Sequence, residues 1–151
     1  MTDIVIRALE LAGQRGILLN GWGGFDTRNL PETIMRVESV PHEWLFPRMA
    51  AVVHHGGAGT TAAGLRSGVP SIVIPYMGDQ SFWARRVYAL GVGPKPIRRK
   101  KLTAENLAQA ITQAMEDEEI RRKAKQLGEK IRAENGVGRT IEIIGQIMTE
   151  R

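Results

Sequence analysis

Residues 52–61, with the sequence VVHHGGAGTT, are the most informative stretch of this chain. A β-branched run ends in two histidines, a glycine-rich turn follows, and two threonines open a segment that favours a helix. Glycine has no Cβ, so the backbone can turn tightly there and approach a ligand closely. The N–H groups and the positive dipole end of a helix start attract anions. The stretch therefore predicts a strand, a turn and a helix that together bind an anion; the alternative is an ordinary tight turn.

The composition is typical of a globular chain without disulfides. The 151 residues favour one domain, 1–151, that is long enough to bury a core. The chain has no cysteine, which excludes a disulfide framework and a thiolate metal site. No apolar run reaches the roughly 20 residues that span a bilayer, and the first residues do not form a signal peptide. We therefore expect a cytoplasmic protein.

The positive charge leaves two partner classes to consider. The formal net charge is +5, which nucleic-acid-binding proteins also show. Because the few aromatic residues do not interleave with the basic ones, we expect no nucleic-acid partner. The basic run 98–101, RRKK, favours a solvated loop, and its alternative role is peripheral contact with an anionic membrane surface.

Apolar runs alternate with helical patterns along the chain. The expected strands are 16–20, 34–40, 51–54, 71–74 and an edge strand at 93–97. The expected helices are 3–14, 60–67, 81–90 and three C-terminal helices, the first of them capped by Thr103. The run 71–74, SIVI, has no polar alternation, which favours a sheet covered on both faces. This order predicts a Rossmann-like α/β fold, a parallel sheet with helices on both faces.

Polar residues gather on the loops that follow the predicted strands. These loops are 21–24, 39–42, 55–61 and 75–80. In parallel sheets, ligands bind in the crevice beyond the carboxyl ends of the strands. The pattern therefore predicts a binding site for a nucleotide-type ligand at this edge of the sheet.

The motifs on these loops resemble a known family. Residues 55–61 (HGGAGTT), 68–70 (GVP) and 78–80 (GDQ), with Pro75 between the last two, are similar to the donor-binding motif of UDP-sugar glycosyltransferases with the GT-B fold. The chain resembles the C-terminal half of that fold. Residues 40–47 (VPHEWLFP) and 78–83 (GDQSFW) are most similar to sterol 3-β-glucosyltransferases and their bacterial relatives.

The resemblance implies a site for the donor diphosphate. His55 would donate to a phosphate, and the backbone N–H groups around Gly57, Gly59, Thr60 and Thr61, with the threonine hydroxyls, would hold the diphosphate. The UDP leaving group gains negative charge in the transition state, which such fixed dipoles stabilise. Because no aspartate-rich metal motif accompanies these residues, we expect a metal-independent reaction without a cofactor.

The resemblance also implies contacts to the sugar and the base. Asp79 and Gln80 would bind sugar hydroxyls, since a carboxylate accepts hydrogen bonds and an amide both donates and accepts. The uridine-binding residues would be Trp22, Ser39, Val40 and His42. Asp79 has an alternative role as the cap of the following helix. His54 points to the face opposite His55 by strand alternation, which favours a structural role.

The sequence departs from the family in two places. Ala63 stands where many members have a glutamate that holds the ribose. The family's donor domain begins with a central strand before its first helix, whereas this sequence begins at the helix. The absence of that central strand would expose sheet edges, and a homodimer is one way to cover them. The acceptor half, which in the family contributes the catalytic base, is also absent.

These observations predict the donor-binding half of an inverting glycosyltransferase. The whole enzyme would transfer a hexose, expected to be glucose, from UDP to a hydroxyl of an apolar acceptor such as a sterol. This part alone is expected to be inactive. One alternative is a non-catalytic donor-binding subunit that pairs with a separate acceptor chain. Another is a structural or nucleic-acid-binding module that kept the fold without the donor site.

Overall fold

Two pairs of parallel strands form the centre of the structure, a computed structural model that describes residues 1–19 and 30–149. Strand β1 (Gly16–Leu19) pairs with β2 (Ile34–Val37), and β3 (Val52–His54) pairs with β4 (Ser71–Val73). Over the described residues, no backbone pairing joins one pair to the other. The predicted parallel direction is confirmed, but in the described residues the strands form two separate pairs rather than one continuous sheet.

The described residues form seven α-helices, whose bounds refine the predicted ones. They are α1 (Thr2–Leu11), α2 (His42–Leu45), α3 (Ala58–Ser67), α4 (Gln80–Ala89), α5 (Ala104–Glu116), α6 (Glu118–Ala133) and α7 (Gly136–Thr149). Short 3₁₀ turns cover Phe46–Arg48 and Arg99–Lys101. Helix α5 begins with a capping box, in which Thr103 Oγ1 accepts from Asn106 N at 3.2 Å. This confirms Thr103 as its N-cap.

The predicted edge strand at 93–97 is not a regular strand. The chain nevertheless runs beside β4, because Ser71 N donates to Val92 O at 3.1 Å and Ile97 N donates to Val73 O at 3.2 Å. Gly93 lies so close to the backbone of Ser71 that a Cβ at this position would overlap it. The segment therefore packs along the edge of β4 without forming a ladder.

Strand β4 is covered on both faces, as its uninterrupted apolar sequence predicts. Ile72 contacts the cluster that contains Ala8 of α1 and Leu107 of α5, all completely buried. Val73, on the opposite face, packs with Val87 of α4 and with α6. Complete burial of a side chain of this size contributes about 1.5–3 kcal/mol. The helices on both faces thus hold β4 and orient its carboxyl end.

A third apolar cluster joins the two strand pairs. Leu45 and Phe46 pack against Val52 of β3, and Ile17 and Leu19 of β1 contact the same cluster. Side-chain packing, rather than backbone hydrogen bonds, therefore holds β1 beside β3 in the described part of the sheet.

Helix α7 forms as predicted but buries none of its residues. Its apolar side chains Val137, Ile141, Ile144 and Met148 are more than half exposed. Among the helices that the structure describes, none has both the length and the apolar character required to cross a membrane.

Candidate functional site

The turn between β3 and α3 presents free backbone amides. Helix α3 begins at Ala58, two residues earlier than predicted, with Gly57 as its N-cap. Thr61 N donates to Gly57 O at 2.9 Å. The N–H groups of Ala58, Gly59 and Thr60 precede that bond, and first-turn amides have no acceptor within their own helix. These three N–H groups form an anion-attracting end at the carboxyl edge of β3.

The imidazole of His55 lies beside these amides. It is exposed, and a Cβ at Gly57 would lie only 2.5 Å from His55 Nε2. Gly57 therefore has to be glycine for the ring to lie against the backbone there. At Gly59, by contrast, a Cβ would meet no atom within 4 Å. The ring of His55 thus lies against Gly57 at the start of α3, and the space beside Gly59 in the first turn of that helix is open.

The structure differs from the expectation at Thr61. Its side chain is 1% exposed, its Oγ1 has no partner, and its N–H is bonded to Gly57. Because α3 begins at Ala58 rather than Thr60, Thr61 turns toward the core. In this conformation Thr61 offers a ligand neither its hydroxyl nor its amide, whereas Thr60 is partly exposed.

The loop 75–80 meets the glycine-rich turn at Gly56. The φ angle of Gly56 is +91°, and a Cβ there would lie 2.7 Å from Val73 Cγ1 and 3.1 Å from Gln80 O. The backbones of the two loops therefore touch, and only glycine fits between them. This confirms that the two loops gather at one edge of the sheet.

Gln80 binds its own loop through one end of its amide. Its Oε1 accepts from Tyr76 N at 2.7 Å and from Met77 N at 3.1 Å. The Nε2 group has no partner within the described ranges and can donate to a ligand. The loop thus binds the accepting oxygen of this amide, and the donating nitrogen stays available to a ligand.

The side chain of Asp79 is held by Trp83, one helical turn further along α4. Trp83 Nε1 donates to Asp79 Oδ2 at 2.9 Å. Asp79 occupies the N-cap position of α4, yet its side chain makes no capping hydrogen bond. The capping alternative is therefore not observed. The i, i+4 spacing of Asp79 and Trp83 at a helix start was the available signal for this pair.

His54 is buried on the face opposite His55, as strand alternation predicts. Its Nδ1 accepts from Gly56 N at 3.1 Å. Burial, followed by the charges of His55 and His42, lowers the pKa of His54 to about 4. The imidazole of His54 is therefore neutral at pH 7.

The residues predicted to bind uridine are partly described. Ser39 and Val40 lie in the irregular segment after β2, with Ser39 exposed and Val40 partly buried. His42 begins α2 and stacks on Phe46 with a centroid distance of 4.4 Å. Trp22 lies outside the described residues. The roles of these four residues stay predictions.

Two further features concern ligands. No group of three or more histidine, aspartate or glutamate side chains that could hold a metal ion occurs within residues 1–19 and 30–149. A cavity of about 660 Å³ lies at the other end of α3, where Gly68, Pro70, Arg121 and Lys125 are among its lining residues. Among the predicted donor-binding residues that the structure describes, none lines that cavity.

Comparison with known sequences identifies relatives over almost the whole chain. Residues 17–147 match the family described as Erythromycin biosynthesis protein CIII-like, C-terminal domain. The sterol 3-beta-glucosyltransferase UGT80A2 of Arabidopsis thaliana is 44% identical over 143 residues, which are 94% of this chain and 22% of that protein. A sterol 3-beta-glucosyltransferase of Komagataella phaffii is 44% identical over 154 residues, which cover 98% of this chain and 12% of that protein. The chain spans less than a quarter of the length of these curated relatives.

Solved structures share the fold. The glycotransferase of kitacinnamycin has a TM-score of 0.82 and 25% sequence identity, over 95% of this chain and 38% of that chain. The glycosyltransferase VinC in complex with DTDP has a TM-score of 0.82 and 22% identity, over 99% of this chain and 38% of that chain. These neighbours are GT-B glycosyltransferases, whose C-terminal half is Rossmann-like, so the predicted fold class is confirmed. The chain belongs to the Erythromycin biosynthesis protein CIII-like C-terminal domain family.

Proposed function

We propose that residues 1–151 are a single domain that binds the nucleotide-sugar donor of an inverting glycosyltransferase. The observation that supports this most is the exposed imidazole of His55 beside Gly57, the N-cap of α3, whose first amides have no acceptor within the helix. Neutral N–H donors and a helix dipole at one point favour a diphosphate. In the proposal, His55 and the amides around Gly57, Gly59 and Thr60 hold the UDP diphosphate.

This arrangement suits the chemistry of glycosyl transfer. As the bond between the sugar and UDP breaks, negative charge develops on the diphosphate. Donors that already point at that position stabilise the charge without having to reorient. The hydrogen-bond donors that face the diphosphate are backbone amides and an imidazole. The reaction we propose therefore uses neither a metal nor a cofactor.

The sugar would lie against the loop 75–80. Asp79 accepts from sugar hydroxyls through the carboxylate oxygen that Trp83 does not hold, and the Nε2 group of Gln80 donates. The base would lie toward the loop that contains Ser39, Val40 and His42. We assign the donor as UDP-glucose on the strength of the sterol glucosyltransferase relatives.

The whole enzyme would transfer glucose to a hydroxyl of an apolar acceptor such as a sterol. The names of the curated relatives support this acceptor class. Because the chain spans 22% of the Arabidopsis relative, we assign the acceptor site and the catalytic base to the other part of such an enzyme. The 151-residue chain alone would then bind the donor without turning it over.

Calorimetric titration of the chain with UDP-glucose, UDP, dTDP and ADP tests this function. We expect saturable binding that prefers uridine nucleotides and shows similar affinity for UDP and UDP-glucose. Equal binding of ADP, or salt-dependent binding of RNA without binding of UDP, would contradict the proposal.

The variant His55→Ala is expected to weaken UDP binding by roughly 10- to 100-fold, because a hydrogen bond to a charged group contributes about 1.5–3 kcal/mol. His55 is exposed, so the thermal unfolding midpoint should not change. The variant His55→Gln keeps a neutral donor in the side chain and should bind with intermediate affinity. The assignment fails if His55→Ala binds UDP as tightly as the wild type.

The variant Trp83→Phe is expected to raise the dissociation constant of UDP-glucose by roughly three- to tenfold, since it removes one orienting hydrogen bond from Asp79. UDP, which has no sugar, should bind unchanged. Trp44→Phe is the matched control, because Trp44 is exposed and stacks with Arg48. Equal weakening of UDP and UDP-glucose by Trp83→Phe would show that Trp83 does not act through the sugar.

A further inference from the structure

Three buried polar atoms in the described part of the chain have no hydrogen-bond partner: His54 Nε2, Thr61 Oγ1 and Ser71 Oγ. Buried polar groups are almost always paired, so such a group calls for an explanation. Two of the three, His54 Nε2 and Ser71 Oγ, lie near Gly64. A Cβ at Gly64 of α3 would lie 2.8 Å from Ser71 Oγ and 3.8 Å from His54 Nε2.

The other nitrogen of His54 determines which ring nitrogen holds the proton. Nδ1 accepts from the backbone N–H of Gly56 at 3.1 Å. A neutral imidazole has one donor and one acceptor. Nδ1 therefore has no proton, and Nε2 holds the proton on the side of the ring where Gly64 lies.

The strand register explains why His54 and Ser71 share a face. In the parallel pair, Val52 lies opposite Ser71 and His54 lies opposite Val73. Side chains two residues apart on a strand point the same way, so His54 and Ser71 both face α3. Gly64 leaves the space beside them, because any larger residue would overlap the Ser71 hydroxyl.

The bond to Gly56 holds the turn on which the donor site depends. Gly56 has a φ of +91° and lies against Gln80. Directly after it come Gly57, over which His55 lies, and the first amides of α3. The only polar contact to the Gly56 amide within the described residues comes from His54.

We propose that His54 is a positioning residue of the donor site. Its neutral imidazole holds the Gly56 amide through Nδ1. This bond fixes the turn that aims His55 and the α3 amides at the diphosphate. This inference rests on the proposed function, but the hydrogen bond itself can be tested without a ligand.

Three variants of the 151-residue chain separate positioning from simple packing. His54→Asn keeps an oxygen acceptor two residues before the Gly56 amide, the geometry of an Asx-turn. His54→Gln keeps a polar side chain but moves its amide away from that acceptor position, and His54→Leu removes all polarity. Calorimetry with UDP and thermal unfolding are measured on each variant.

We expect His54→Asn to bind UDP within about threefold of the wild type, and His54→Gln and His54→Leu to bind it at least about tenfold more weakly. If His54→Leu fails to fold, the comparison of Asn with Gln still decides. Equal UDP affinity of the Asn and Gln variants would overturn the inference.

Nitrogen-15 NMR of the ligand-free chain supplies the second readout. The wild type should show the His54 proton on Nε2 and a hydrogen-bonded Gly56 amide. A proton on Nδ1 would overturn the inference, whether or not the chain binds nucleotides. Absence of UDP binding by a wild-type chain with the expected tautomer would instead count against the proposed function alone.

Discussion

The variant Gly56→Ala is expected to lower the free energy of unfolding by about 3 kcal/mol and to abolish measurable UDP binding. Two costs add at this position. A residue with a Cβ is strained at a φ of +91°, and the new methyl would lie 2.7 Å from Val73 Cγ1 and 3.1 Å from the carbonyl oxygen of Gln80. Because the carbonyl belongs to the backbone of the loop 75–80, relief of the overlap requires the two site loops to separate.

Gly13→Ala is the matched control for backbone strain. Gly13 has a φ of +62°, but a Cβ there would meet no atom within 4 Å. This variant should lose only about 1 kcal/mol, the cost of the left-handed conformation, and should bind UDP like the wild type. Chemical denaturation of both variants measures the difference. If Gly56→Ala and Gly13→Ala lose the same free energy, the close contact of the two loops is not a determinant of stability.

Acidification from pH 7 to pH 4 is expected to remove about 3 kcal/mol of stability through His54 alone. The pKa of His54 is lowered from 6.5 to about 4 in the folded chain, mainly by burial and also by the charges of His55 and His42. Between these two values the unfolded chain binds a proton that the folded chain does not. Stability is therefore fully present above pH 6.5 and is lost as the pH falls toward 4.

His54→Asn, which does not titrate, isolates this contribution. Denaturation curves of the wild type and of this variant at half-unit pH steps should diverge between pH 6.5 and 4.5. That window avoids most of the titration of Glu119, whose pKa is lowered to about 2 by Arg122 and Lys123. Parallel curves in this window would show that His54 is not a buried neutral imidazole.

Neighbouring residues in the sequence were sufficient to predict much of the architecture. The β-branched run before the glycines, the uninterrupted apolar residues of β4 and the cap at Thr103 each depend on side chains within a few positions of one another. Strand and helix periodicity express such short-range preferences directly. The parallel α/β fold, its covered faces and the position of the candidate site were therefore predictable.

Tertiary contacts, by contrast, set which polar atoms of the site remain available to a ligand. Thr61 faces the core because α3 starts two residues earlier than the pattern indicates, and Asp79 gives one oxygen to Trp83. The contact of Gly56 with Gln80 joins loops more than 20 residues apart. Hydrogen-bond pairing and burial depend on such long-range packing, which neither residue type nor local spacing encodes. Strand alternation in the sequence was enough to place His54 and His55 on opposite faces, whereas only the packed structure shows that His54 Nδ1 accepts from the Gly56 amide.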